Sequence, residues 1–309
     1  MEEAGLEFPW QRMDVDEYAD FERSQGTDVI KVNGVYWRRV RPCFYRPLLA
    51  FREYPSGSVS APRRSLLGTF QHAVPSGEES NSLLNLMLFE HPAAYTLESL
   101  EHSKRKQVKH ALRQFAIRRL ERMDEFRQKA YPVYLAFYAR THYGYGSERR
   151  DPGCFSAWAD SLYRFPKIAI LGAFRGDELE AVGISQWVED TLIYSTVFCN
   201  DESLKLNVTS VMLHQLRAAA ATCSHITQIF VGMYKYQGAT GIDGFYFARG
   251  CSLVSKPAWA RVNPVAKVLL RYFAPGQFRR LYGSVDRNDD WRVKAARLRA
   301  PSPAGEGNR

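Results

Sequence analysis

No apolar run in this 309-residue chain reaches the roughly 18–20 residues that a membrane-spanning helix needs. The opening MEEAGLEFPW is acidic, where a secretory leader needs a basic and then an apolar segment. Both absences lead us to expect a soluble, cytoplasmic protein. Cysteine is sparse and odd in number, at positions 43, 154, 199, 223 and 251, with no CxxC pair. That pattern argues against a disulfide framework or a zinc site. The histidines show no metal-ligand spacing, so no metal is expected. HExxH, GxSxG and the P-loop are all missing, which removes zinc hydrolase, α/β-hydrolase and nucleoside triphosphatase chemistry.

What is present suits a packed globular chain: 45% hydrophobic and 13% aromatic residues, enough for one large domain or two smaller ones. The net charge is +9 and unevenly spread. Residues 1–28 hold nine acids and two bases, whereas 103–129 hold ten Lys or Arg and three acids. Such asymmetry points to an anionic partner: nucleic acid, a phosphorylated cofactor or an anionic lipid surface. The plainer reading of any one charged run is a solvated helix face. Cys199 and Cys251 lie in apolar runs, where a free cysteine acts as a small hydrophobe.

Along the chain, a short helix is expected near 15–23, then strands at 35–40, 44–51 and 65–73 and an apolar run at 83–89. A helix is expected over 99–122, N-capped by Ser103, with Val108, Leu112, Phe115 and Leu120 on one stripe and bases on the rest. Further helices are expected at 130–142, with Pro132 in its first turn, and at 155–163. The pattern then changes to strands at 168–174, 179–188 and 192–199, separated by turn residues, forming an antiparallel meander. A polar loop at 200–206 precedes a helix at 207–222. A strand at 229–233, a glycine-rich loop at 238–244 and short strands at 252–254 and 259–262 follow. The segment after Pro301 is rich in Pro and Gly, and 286–309 is expected to be a basic, disordered tail.

Three stretches resemble the Fem-like branch of the acetyltransferase (GNAT) fold, the peptidoglycan aminoacyltransferases and their relatives. The first is the basic SKRKQVKHALR (103–113), with a later helix leading to the aromatic loop THYGYG (141–146). The second is 172–216, meander and helix, similar to the family's core strand followed by an R-L-S-P-G type loop. The third, GIDGFYFARG (241–250), resembles the closing F-K-x-x-F-G motif. The resemblance covers about residues 100–265. It implies an α+β or α/β fold with a mixed, mainly antiparallel sheet flanked by helices. It also implies acyl or aminoacyl transfer to an amine or hydroxyl of a small molecule, amino sugar or cell-envelope precursor. The implied donor is an acyl-CoA such as acetyl-CoA, or an aminoacyl-tRNA. Two positions depart from the pattern. The family's lysine falls at Ala248, with Arg249 beside it, and the Q/R-x-x-G-x-G/A acetyl-CoA loop is replaced by Asn200–Ser210.

Acyl transfer needs a positioned nucleophile and donors aimed at the developing oxyanion. Lys205, Asn207, Thr209 and Ser210 stand where a helix opens, offering free N–H groups to a donor's phosphate; the plainer reading is a capped helix. Tyr194 is a candidate general acid, and Tyr194 and Ser195 point to opposite faces, so one of them faces the cleft. Arg249 is the candidate for charge stabilisation. Tyr143, Tyr145 and Arg149 make an aromatic-basic loop suited to stacking on an acceptor, and Lys235 and Tyr236 follow a strand end where ligands approach. The competing reading is a non-catalytic or tRNA-dependent binding protein whose basic helix faces nucleic acid. Residues 99–285 are expected to form the catalytic domain. Residues 1–98 are either a degenerate first half or an extension covering one face, with several strands favouring the former.

Overall fold

The computed structural model describes residues 10–141, 146–234, 241–273 and 275. Tyr143, Tyr145, Lys235, Tyr236 and the tail 286–309 lie outside the described residues. The chain begins β1 (Arg12–Met13), α1 (Val15–Ser24), β2 (Val29–Val32), β3 (Val35–Arg41), β4 (Phe44–Pro47), β5 (Thr69–Ala73) and β6 (Ser82–Glu90). Next come α2 (His102–Leu112), β7 (Ala116–Arg119), α3 (Met123–Thr141) and α4 (Pro152–Tyr163). The meander is β8 (Ala169–Arg175), β9 (Glu178–Val188) and β10 (Thr191–Cys199). It leads to α5 (Asp201–Lys205), α6 (Val208–Ala221), β11 (Gln228–Met233), α7 (Gly241–Phe247), β12 (Ser252–Val262) and α8 (Pro264–Phe273).

The strands join one mixed sheet in the order β2-β3-β4-β5-β12-β6-β11-β10-β9-β8-β7, with β1 pairing β9. Pairing is antiparallel except between β1 and β9, β4 and β5, and β10 and β11. This is the expected acetyltransferase-type architecture, a mainly antiparallel mixed sheet flanked by helices. β6, from the first third of the chain, lies between β11 and β12 and pairs with both. One face of the sheet packs Phe21 of α1, Phe126 and Tyr134 of α3 and Trp158 of α4 against Leu86, Ile184 and Phe198. The other packs Ala111 of α2, Met212 of α6 and Tyr246 of α7 against Leu171, Tyr194 and Ile229. Each fully buried aromatic or large aliphatic side chain stabilises the fold by about 1.5–3 kcal/mol before entropic costs. Among the described residues no helix is long and apolar enough to cross a membrane.

Several sequence expectations need correction. The helix expected over 99–122 is α2 followed by the edge strand β7. Ile117 and Arg119 are half-buried while Ala116 and Arg118 are exposed, a period of two that pairs with β8. Glu101, not Ser103, precedes α2, with no side-chain cap. Helix α3 starts at Met123, so Pro132 is internal, not in the first turn. Pro132 removes the N–H that would meet the Gln128 carbonyl, and both residues are exposed. The stretch 65–73 opens as a 3-10 turn, Arg63–Leu67, before β5 begins. The polar loop at 200–206 contains α5, and the last two expected strands are the single strand β12. The end of the glycine-rich stretch, from Gly241, is α7.

Candidate active site where β10 leaves β11

β10 and β11 run parallel over Thr191↔Gln228, Leu192↔Ile229 and Ile193↔Phe230, and their pairing then stops. β10 stays paired with β9 as far as Cys199↔Ala181, while β11 stays paired with β6. Both diverging strands are irregular, β10 between Tyr194 and Thr196 and β11 between Phe230 and Gly232. Gly232 has φ 137°, open to glycine at little cost. A bulge adds a residue to one strand and bends it away from its neighbour. Among the described residues, the backbone of β10 beyond Ile193 therefore has one paired edge and one open edge. Alternate N–H groups on that open edge are free to meet a ligand.

The bulge decides which side chain of β10 meets solvent. Ser195 is exposed; its hydroxyl donates to the Ile184 carbonyl (3.2 Å) and accepts from Gln186 Nε2 (3.0 Å). Gln186 is fully buried, and its Oε1 has no hydrogen-bond partner. Tyr194 points the other way, into the core beside Gly183 and Met212. Burial pushes its hydroxyl well above the ordinary tyrosine value, so it stays protonated at neutral pH. Burial also raises the thiols of Cys199 and Cys251, the latter to about 12, which leaves them poor nucleophiles.

The chain after β10 is held by a buried carboxylate. Glu180 is 2% exposed and ion-paired to Arg175 (2.7 Å). It also accepts from the Asn200 side-chain amide, and its carbonyl accepts from Ser203 Oγ (3.2 Å). Asn200 Oδ1 caps α5 by accepting from Ser203 N (2.8 Å), and Arg140 of α3 pairs with Asp201 (2.5 Å). Lys205 is exposed and paired with Glu202 (2.8 Å). With Asp201 and Glu202 in its first turn, α5 repels anions. α6 does not: its first turn has no acid, and its leading residue, Asn207, sits at φ 64° without a side-chain cap. Thr209 is half-buried there, and Ser210 is 1% exposed.

Ser210 and Arg249 meet. Arg249 is 6% exposed and donates to Ser210 Oγ (2.6 Å), Gln107 Oε1 of α2 (3.1 Å) and the Phe245 carbonyl (3.0 Å). Its guanidinium lies 3.9 Å from the Phe245 ring. Arg217 of α6 donates to the Arg249 carbonyl and is sandwiched between Phe89 (4.3 Å) and Tyr95 (3.8 Å). Burial lowers both guanidinium values to about 10. Tyr95, pushed up to about 12 by burial, shares a 2.8 Å hydrogen bond with His214 Nδ1. Sequence reasoning missed this cluster, as it missed Glu180 and Gln186. Only Asn200 with Ser203 three residues on, a helix-start pattern after an apolar strand, carried a readable signal.

The basic run at 103–129 divides in two. Arg118, Arg127 and Lys129 are engaged in ion pairs with Glu125, Asp160 and Glu125. On α2, His102, Arg105, Lys106, Lys109, His110 and Arg113 line a groove of about 450 Å³ with no acid among them. Arg149 packs against the Trp158 ring at 4.3 Å, beside Gly146, whose carbonyl accepts from Tyr134 (2.8 Å). Among the described residues no group of His, Cys, Asp and Glu is arranged to hold a metal.

The fold is shared with solved structures. The C-terminal domain of a protein assigned as a lysylphosphatidylglycerol synthetase from Agrobacterium fabrum superposes with TM-score 0.56, covering 87% of this chain and 93% of that one at 9% identity. FemX superposes with TM-score 0.53, covering 83% and 93% at 9% identity. L-PGS from Bacillus licheniformis gives 0.52, covering 89% and 98% at 12% identity. No family model and no curated protein matches the sequence.

Proposed function

We propose that this chain transfers an acyl or aminoacyl group from a phosphate-bearing carrier to an amine or hydroxyl of a cell-envelope precursor or related small molecule. The observation that carries the reading is the end of β10–β11 pairing after Ile193↔Phe230, which opens a backbone edge. The acid-free start of α6 is a ready site for the donor's phosphate. Asn207 and Thr209 lie at that end, with Lys205 just before it, while Ser210 and Arg249 fix the first turn against α2. Open N–H groups of β10 polarise the acyl carbonyl. Tyr194, the acid the sequence suggested, is sealed in the core beside Met212 with its hydroxyl raised by burial, so it is assigned no contact with the leaving group. Arg149, with Tyr143, Tyr145, Lys235 and Tyr236, is assigned to the acceptor. We place the reaction in the cytoplasm, where CoA and tRNA donors are found. Residues 1–98 are read as a degenerate first half of the fold, supported by the insertion of β6 between β11 and β12.

Calorimetric titration with acetyl-CoA and longer acyl-CoAs, beside a filter assay with aminoacyl-tRNA, tests the donor. Binding of one class with transfer to an added amine supports the reading; no binding of either sinks it. The acid-free groove on α2 favours aminoacyl-tRNA as the donor. On that reading, tRNA affinity falls steeply with salt, and Lys106→Glu with Lys109→Glu flattens the slope by about two.

A further inference from the structure

Helix α8 is built to be a helix but packs little against the fold: only Ala266 and Leu270 are half-buried. Asn263 Oδ1 accepts from Val265 N (2.9 Å) and Ala266 N (3.3 Å), and Pro264 takes the first helical position. Yet none of its residues is buried. Val265, Val268, Leu269, Tyr272 and Phe273 are between 51% and 83% exposed. Their spacing of three and four residues puts them on one stripe, with Lys267 and Arg271 on the polar side. Asn263 also reaches back: its Nδ2 donates to the Leu66 carbonyl (2.8 Å) and its N–H to Gly68 (2.8 Å). Leu66 and Leu67, at the end of the Arg63–Leu67 turn, are 54% and 73% exposed. Seven of the eleven large hydrophobic side chains exposed among the described residues thus belong to two segments bridged by one asparagine.

The charge of these segments is of one sign. Arg63, Arg64, Arg261 and Arg271 are exposed beside Lys267, and neither 63–68 nor 261–273 contains an acid. An exposed apolar patch of this size marks an interaction surface. A nucleic acid would satisfy the bases but offers no apolar phase to valine and leucine. A second copy docking face to face would set five bases against five. An anionic bilayer offers acyl chains to the stripe and phosphates to its rim.

We propose that α8 and the adjoining Arg63–Leu67 turn dock the protein on an anionic lipid surface. α8 lies in the plane of the interface, its apolar stripe among the acyl chains and its bases among the head groups. The proposal uses neither the β10–β11 cleft nor a donor, so it fails or survives separately from acyl transfer.

The test is co-sedimentation of the full-length chain with vesicles. One set is phosphatidylcholine alone; the other carries about one-third phosphatidylglycerol, at roughly 0.1 M salt. Binding to the anionic set only, weakened by added salt, is expected. Val268→Glu with Phe273→Glu should abolish binding, and Arg63→Glu and Arg271→Glu should each weaken it about fivefold, from roughly 1 kcal/mol per base. The altered side chains are exposed, so unchanged thermal melts should accompany the loss. No sedimentation with either set overturns the proposal. So does binding that survives the α8 substitutions, which would assign it to residues 276–309. A dimer on light scattering that Val268→Glu with Phe273→Glu dissolves, without vesicle binding, overturns it in favour of a second copy.

Discussion

At Gly183 an added Cβ would stand 2.9 Å from Met212 Cε and 3.0 Å from the Tyr194 hydroxyl. Gly183→Ala is therefore expected to cost about 1–3 kcal/mol, read from a thermal or urea melt. It should also disturb turnover by shifting β9 against β10, where Gly183 pairs with Val197. Tyr194→Phe keeps the packing and removes only the hydroxyl; unchanged kcat is expected of this core residue, and a large loss would show that the hydroxyl reaches the reaction. Arg249→Ala strands the acceptors on Ser210 and Gln107 and opens a cavity, with an expected loss of about 2–4 kcal/mol. Glu17 titrates below the usual carboxylate value because Lys167 donates to it at 2.6 and 2.7 Å. A depressed carboxyl stabilises the fold above its unfolded value near 4.5 and loses that contribution as pH falls through the folded value. Acid melts of Glu17→Gln should thus be shallower than wild type between about pH 5 and 3, and more so at low salt. Cys154 is the one exposed cysteine, so a disulfide reagent should label it first, with Cys199 and Cys251 reacting only on unfolding.

At the scale of elements, the start of α6 separates stability from function. Asn207 occupies the left-handed region at φ 64°. Asn207→Gly should be tolerated, whereas Asn207→Val should cost about 1–2 kcal/mol in a melt. Thr209→Glu puts a carboxylate beside the positive end of the helix, which favours the fold by a few tenths of a kcal/mol or more. The same charge repels a phosphate, so donor affinity should fall while Tm holds or rises; an unchanged affinity would remove the donor from α6. The meander was legible in the sequence because its turns carry local chemistry: Gly176 at φ 61° and Glu189 at φ 55° end apolar strands of the right length. The break after Leu112 was not legible, since Phe115 and Leu120, on either side of strand β7, continue the apolar stripe of the helix. The site was half legible. Residue types flagged Ser210 and Arg249 separately, but their 2.6 Å contact joins residues 39 apart and has no local signature. Gln186 and Glu180 sit in apolar strands, where only the fold reveals what they face.

At the scale of the molecule, β6 makes two thirds of the chain depend on the first third. With β6 removed, β11 and β12 would each lose a hydrogen-bonded neighbour. A chain beginning at residue 99 is expected to be insoluble or unfolded by circular dichroism. The whole chain should melt in one transition seen alike by tryptophan fluorescence and far-ultraviolet signal; two separated transitions would mean that the halves are independent. The same insertion has a consequence for synthesis. β6 leaves the ribosome about 140 residues before β11, the first of its two neighbours, is complete. At some 5–20 residues per second, an apolar strand waits roughly 7–30 s for its first neighbour. During that interval Leu84, Leu86 and Leu88 have no sheet to enter, so nascent-chain yield should depend on chaperone supply more than the stability of the finished protein would suggest.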